Sequence, residues 1–310
     1  LKDVDLILSE GEFTGLIGPS GSGKTTLLNI IGGLDAASEG QVSVLGKALD
    51  HTSHFDRAIL RREFMGFIFQ TYNLLPVYTV FENVELPLIL NKVDPQEREK
   101  KVKQALEWVG LSDKIKSRPA MLSGGECQRT AIARAIVHEP ALILADEPTA
   151  NLDVENSHQI MKIMVQLNKE LSTSFVFATH DEKIMSYLRR ILHLEDGVII
   201  QDKKIGSFTL RKQVLTDYPP KELRSVIDKG KKDIKEGIVV SFSSFEGKVG
   251  VAVGVTNELT KKFDAVSLVK IASEILGGKG GGGRKDFAQA GGSNKDKIKE
   301  AFEALSKKIN

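Results

Sequence analysis

The chain has 310 residues, 41% hydrophobic and 27% charged, which is enough for two soluble domains with real cores. No apolar run approaches the roughly 20 residues of a membrane helix. No basic-then-apolar leader opens the chain, and the single cysteine, Cys127, excludes an internal disulfide and fits a reducing compartment. The net charge of +2 conceals an asymmetry: residues 1–203 hold 22 Lys+Arg against 28 Asp+Glu, whereas residues 204–310 hold 21 against 13. An acidic half followed by a basic half suggests two domains with different partners, the plainer alternative being solvated surface.

In chain order, "FTGLIG" predicts a buried strand and "GKTTLLNIIGGL" a helix ended by glycine. "QEREKKVKQALEWV" (96–109) predicts an amphipathic helix, and "ALILADEP" and "SFVFATH" predict two more buried strands. Strands alternating with helices predict a largely parallel sheet in an α/β fold. Beyond residue 203 the pattern changes. "PPKELRSVIDKGKKDI" predicts a helix, and "GIVVSFSSFEGKVGVAVGVT" two strands turned at Glu246-Gly247. "ELTKKFDAVSLVKIASEIL" predicts one amphipathic helix, then comes the glycine run "GGKGGGGRKDFAQAGG", and "NKDKIKEAFEALSKKI" predicts a last helix. The domain boundary is expected near residues 200–206, giving domains 1–203 and 204–310.

The strand-then-helix context makes "GPSGSGKT" (18–25) a phosphate-binding loop of the G-x-x-x-x-G-K-[ST] type. Gly18, Ser20, Gly21, Ser22 and Gly23 let backbone N–H groups turn inward around phosphate at a helix N-terminus. Lys24 reaches the β- and γ-phosphates, Thr25 ligates Mg²⁺, and Thr26 follows on the helix. "LILADEP" (142–148) ends a strand on Asp146, expected to hold Mg²⁺, with Glu147 next as the general base toward water. "LSGGECQR" (122–129) opens a helix with no lysine, so it can hold phosphate only through backbone N–H groups, the Ser123 hydroxyl and the helix dipole.

That stretch resembles the signature motif of ATP-binding cassette (ABC) ATPases. In family order, "FQTYNLLP" resembles their Q-loop, with Gln70; "ANLD" (150–153) their D-loop, with Asp153; and "ATHD" their switch histidine, His180. A lone histidine is more often a core residue, but this one ends a strand 33 residues after Glu147. The resemblance covers most of residues 1–203 and implies a P-loop NTPase core with a helical signature subdomain. It implies ATP and Mg²⁺ bound between two protomers set head to tail, with Ser123, Gly124 and Gly125 of one closing over ATP on the other. It implies that His180 contacts the γ-phosphate, that Gln70 senses the metal and links to a membrane permease, and that Asp153 communicates across the dimer. "GLD", "FQTYNLLPVYTVFENVELPL" and "DEPTANLD" resemble the lipoprotein-release and macrolide-efflux group, which implies a cytoplasmic subunit peripheral to the inner face of the membrane. One departure stands out. The family stacks adenine on an aromatic residue before this loop, and the sole aromatic among the first 17 residues is Phe13. The chain begins at Leu1 rather than Met, so that aromatic is expected in a missing start.

"DYPPKELRSVIDKGKKDI", "GKVGVAVGVTNELT" and "GGKGGGGRKDFAQAGG" resemble the DHH-associated C-terminal domain of alanyl-tRNA synthetases, over residues 206–310. That implies a second small α/β domain and a tRNA contact. Gly280, Gly281, Gly282 and Gly283 allow close backbone approach to a phosphate, flanked by Lys279, Arg284 and Lys285. The alternative is a bare surface loop. Three functions stay open on these residues: the ATPase subunit of a membrane exporter, a tRNA-binding module in a fused or chimeric chain, and a soluble translation-associated ABC ATPase. The third class carries two cassettes, and here there is one phosphate loop and one signature.

Overall fold

The computed structural model describes residues 1, 4, 6–195 and 198–309. Residues Leu6–Arg189 form one compact unit, and the chain from Arg190 onward forms the other.

In the first unit, strand β1 (Phe13–Ile17) leads through the phosphate loop to helix α1 (Lys24–Ile31). A two-residue ladder, β2 (Ser43–Val44) with β3 (Lys47–Ala48), precedes α2 (His54–Phe64) and β4 (Met65–Ile68). Helices α3 (Val80–Leu90), α4 (Pro95–Trp108) and α5 (Gly124–Ile136) pack on one another as a helical layer. Strand β5 (Leu142–Asp146), α6 (Val154–Leu171) and β6 (Ser174–Thr179) complete the unit. The strands run parallel in the order β1-β6-β5-β4. Every residue of β1 and β6 is buried, which is why these strands read as unbroken apolar runs rather than alternating ones. Phe13, Phe175 and Phe177 pack ring against ring at their centre. The carboxyl ends of the four strands therefore deliver the phosphate loop, His180, Glu147 and Gln70, as an open α/β sheet delivers its ligand-binding loops.

The second unit contains β7 (Arg190–Glu195), β8 (Val198–Ile205), β9 (Phe208–Thr216), α7 (Leu223–Ile234), β10 (Gly237–Phe245) and β11 (Lys248–Val255). Helix α8 (Ala265–Ile275), β12 (Gly281–Arg284), β13 (Phe287–Gly292) and α9 (Ile298–Ile309) follow. The strand order is β7-β8-β9-β10-β11-β13-β12, antiparallel except for β9 with β10, which α7 joins by a crossover. Alternation on β10 sends Ile238, Val240 and Phe242 into the core under α8 and α9, and Val239 to the opposite face with Leu223 and Ile227 of α7.

Two features go beyond the local sequence pattern. The compact units divide at Arg189–Arg190. The reason is hydrogen bonding: β8 pairs with β7 on one side and with β9 on the other, so the hairpin belongs to the sheet that follows it. Arg211 of β9 strengthens that continuity with a two-pronged contact to Asp202 of β8, at 2.7 Å each, and one to Asp233 of α7 at 3.0 Å. Second, "ELTKKFDAVSLVKIASEIL" is not one helix. A 3₁₀ turn, Asn257–Lys261, stops before Asp264, whose side chain caps α8 by accepting the Val266 N–H. The hairpin turn at Glu246-Gly247 stands where it was expected, both residues at positive φ, as a two-residue turn of this kind requires.

Candidate nucleotide site

The phosphate loop is built by backbone conformation. Gly21 and Gly23 sit at φ 78° and 101°, a region costly for residues with a Cβ. Gly23 precedes α1, and no side chain caps that helix, which leaves its first-turn N–H groups for a ligand. Lys24 is buried and lies along the loop, its Nζ donating to the carbonyls of Gly18 (2.8 Å) and Pro19 (2.9 Å). The Ser22 hydroxyl is buried with no hydrogen-bond partner among the described residues. An orphaned hydroxyl beside a lysine and an uncapped helix suits a phosphate group. Thr25 and Thr26 are exposed on the first turn of α1, beyond the loop that holds Ser20.

The carboxylates come next. The Thr25 hydroxyl donates to Asp146 Oδ2 at 3.1 Å, so the two oxygen donors assigned to Mg²⁺ are already adjacent. Burial, aided by the Glu147 charge, pushes the Asp146 carboxyl above its usual range, against the Thr25 hydrogen bond and the Lys24 charge. A hard oxygen set of this kind fits a magnesium ion, whose charge would favour the ionised carboxylate. Glu147 adopts φ 50°, and its N–H donates to the Ala178 carbonyl at 2.8 Å. That turn aims its side chain at the end of β6, where Oε1 lies 2.7 Å from His180 Nδ1 and Oε2 accepts from the Thr179 hydroxyl at 3.3 Å. Because the carboxylate can only accept, Nδ1 is the donor. The His180 side chain is 70% exposed and that of Glu147 15%, so the histidine caps the carboxylate on its solvent side.

The signature residues are held elsewhere in the same unit. Ser123 caps α5 in a capping box: its hydroxyl accepts the Glu126 N–H at 3.3 Å, and Glu126 accepts the Ser123 N–H at 2.7 Å. A Cβ on Gly125 would stand 2.6 Å from Asn156 Oδ1 of α6, and one on Gly124 3.1 Å from the Tyr72 hydroxyl, so neighbouring side chains press on both glycines. Asp153 caps α6, accepting the Asn156 N–H at 2.8 Å. No hydrogen bond among the described residues joins Ser123, Gly124 or Gly125 to the phosphate loop. The structure thus unites Lys24, Thr25, Asp146, Glu147 and His180, and keeps the signature with the loops carrying Gln70 and Asp153.

Three groups escaped the reading of the sequence. The Glu126 capping partner was legible as Ser-x-x-Glu. Arg134 and Asn151 carried no local signal. Arg134 donates to the carbonyls of Tyr72 (2.7 Å) and Asn73, and Asn151 Nδ2 donates to the Gln70 carbonyl at 2.9 Å.

In the second unit the glycine run forms β12, paired antiparallel with β13. A Cβ on Gly281 would meet Ala290 Cβ at 2.7 Å, and one on Gly283 the Phe287 carbonyl at 2.3 Å. Gly280 needs glycine for its φ of 113°. Gly282 differs from these: it has an ordinary backbone, and nothing lies within 4 Å of where its Cβ would be. Arg284 Nε is 3.2 Å from Asp286 Oδ1, while Lys279 and Lys285 are exposed.

Comparison with known proteins matches residues 1–150 to the ABC transporter family and residues 209–310 to the DHHA1 domain. The chain is 49% identical over 198 residues to the lipoprotein-releasing system ATP-binding protein LolD of Francisella tularensis subsp. tularensis (strain FSC 198), covering 64% of this chain and 86% of that protein. It is 44% identical over 201 residues to the ABC transporter ATP-binding protein MJ1508 of Methanocaldococcus jannaschii, covering 65% and 89%. Among solved structures, the dimeric ABC transporter cassette MJ0796 is 42% identical with a TM-score of 0.59, over 64% of this chain and 87% of that one. The same cassette has also been solved in a post-hydrolysis state bound to ADP and Pi, at the same identity and TM-score. The chain is a nucleotide-binding ATPase and belongs to the ABC transporter family, with a DHHA1 domain following the cassette.

Proposed function

We propose that this chain is the ATP-hydrolysing subunit of a transporter that exports cargo or releases lipoprotein through a membrane permease, working as a head-to-tail pair at the inner face of the cell membrane. One observation carries the hydrolytic reading: Glu147 stands between the Thr25–Asp146 pair and His180, at the carboxyl ends of adjacent strands. In this reading Lys24 and the loop N–H groups bind the β- and γ-phosphates. Thr25, Asp146 and Gln70 would hold a magnesium ion, which supplies charge neutralisation at the phosphoryl oxygens. Glu147 takes a proton from water, and His180 orients Glu147 and the γ-phosphate. The signature, with no bond to its own phosphate loop, is free to offer Ser123, Gly124 and Gly125 to a partner's ATP. The dimeric state of the related MJ0796 cassette supports that arrangement.

A membrane partner is supported by exposed apolar residues along α2 and α3 and the loop between β4 and α3. Phe55 is 73% and Val77 71% exposed, with Phe64, Tyr78, Ile89 and Leu90 also outward. Large exposed apolar patches mark partner surfaces. No helix among the described residues is long and apolar enough to cross a membrane, so the span would be the permease's. The name of the LolD relative supports lipoprotein as cargo. Replacing Glu147 with Gln should slow hydrolysis at least ~10²-fold while ATP still binds, with an ATP-bound dimer accumulating by light scattering. Parental turnover would remove Glu147 from the role.

Gly282 favours a second activity for the DHHA1 domain: contact with the backbone of tRNA. A glycine that neither fold nor φ demands, set among Lys279, Arg284 and Lys285, is suited to close approach by a phosphate.

A further inference from the structure

The loop between β4 and α3 contains two consecutive non-glycine residues in the left-handed region, Tyr72 at φ 61° and Asn73 at φ 48°. Asparagine tolerates that region, but tyrosine does so rarely. Such backbone persists only where its surroundings enforce it. Here the enforcement comes from outside the loop. The half-buried guanidinium of Arg134, on α5, grips the Tyr72 and Asn73 carbonyls, and it has no carboxylate partner among the described residues. From the turn between β5 and α6, Asn151 grips the carbonyl of Gln70 itself. The Tyr72 hydroxyl in turn comes close to Gly124 at the start of α5. Three carbonyls within four residues are thus held by side chains from two other motifs, over 61 or more residues of chain.

We propose that Arg134 and Asn151 are positioning residues for ATP hydrolysis: together they fix the backbone of residues 70–73 and so set where Gln70 presents its side chain to metal and water. Neither residue touches nucleotide in this scheme. The clamp makes the Gln70 loop follow the signature helix and the Asp153 turn as one piece, so closure of the signature over a partner's ATP carries Gln70 with it. The inference rests on the reading of Gln70 as a metal-sensing residue.

The test uses the full chain, with steady-state ATP hydrolysis measured against ATP and against Mg²⁺ concentration. Asn151 is exposed, so Asn151→Ala tests the clamp without threatening the core. Asn151→Ala and Arg134→Met should each lower kcat about 10- to 100-fold, with KM for ATP within about twofold and Mg²⁺ half-saturation shifted upward. The double variant should be no worse than the more damaged single one, because both act on one loop. Arg134→Lys keeps the charge but loses the fork, and should recover part of kcat and of the Mg²⁺ response. Two results would overturn the proposal: a parental kcat and Mg²⁺ response in Asn151→Ala, or an Arg134→Met that loses only thermal stability. Gln70→Ala, measured alongside, separates the two levels. A parental Gln70→Ala ends the reading of Gln70 and the inference with it. A damaged Gln70→Ala beside a parental Asn151→Ala ends the inference alone.

Discussion

The two glycine runs of this chain are similar in composition and opposite in use. In residues 18–23, Gly21 and Gly23 take positive φ with a helix opening behind them, and the backbone they shape faces a lysine and an orphaned hydroxyl. In residues 277–283, Gly278, Gly281 and Gly283 are wedged against β13 and its flanks, where any side chain would strike backbone or Ala290. One run clears space for a ligand, and the other closes space so that strands can meet. Gly280 and Gly282 in the second run resemble the first in having room above them, and of the two only Gly282 has an ordinary backbone. A glycine count therefore says little until each position is asked what a Cβ would touch.

The strongest way to break the contrast is at Lys24. Lys24→Ala should lower hydrolysis by about 10²–10³-fold, the scale for removing one preorganised donor from a charged transition state, with unchanged thermal unfolding. Ser123→Arg should abolish hydrolysis yet bind nucleotide as a monomer. Mixing the two variants should restore one composite site per heterodimer, read as regained turnover. No recovery would count against sites shared between protomers.

The next effect lies in the second run. Gly281→Val should destabilise the DHHA1 unit by about 1–3 kcal/mol, the usual cost of overpacking, seen as an earlier urea transition. Gly282→Val should stay within about 0.5 kcal/mol of the parent, as exposed substitutions do. The same Gly282→Val protein should nevertheless bind tRNA more weakly in a filter assay. Equal stability losses at the two positions would erase the distinction drawn between them.

The smallest effect concerns charge. Replacing Arg284 and Lys285 with Ala should weaken binding to all tRNAs alike and flatten the salt dependence by up to about two. Lys285 should carry the larger part, since Arg284 is partly engaged by Asp286. A salt slope unchanged in titrations at two ionic strengths would remove this edge from the RNA contact.

Sequence by itself determined the parts whose cause is local. The phosphate loop between strand and helix, Asp146-Glu147 at a strand end, the Glu246-Gly247 turn and the division into an ATPase and a basic α/β domain all follow from short-range pattern. Each depends on φ preferences, burial periodicity or motif spacing within a few residues. Tertiary structure decided what depends on partners far along the chain. It brought His180 onto Glu147, set Arg134 and Asn151 on the carbonyls of the Gln70 loop, and drew β7 and β8 into the second unit through their ladder to β9. It also turned the second glycine run into a strand, because only the facing residues of β13 show which glycines have no room for a side chain. The physical reason is the same in each case: a hydrogen-bond acceptor or a steric limit supplied across the fold leaves no mark on the residues that meet it.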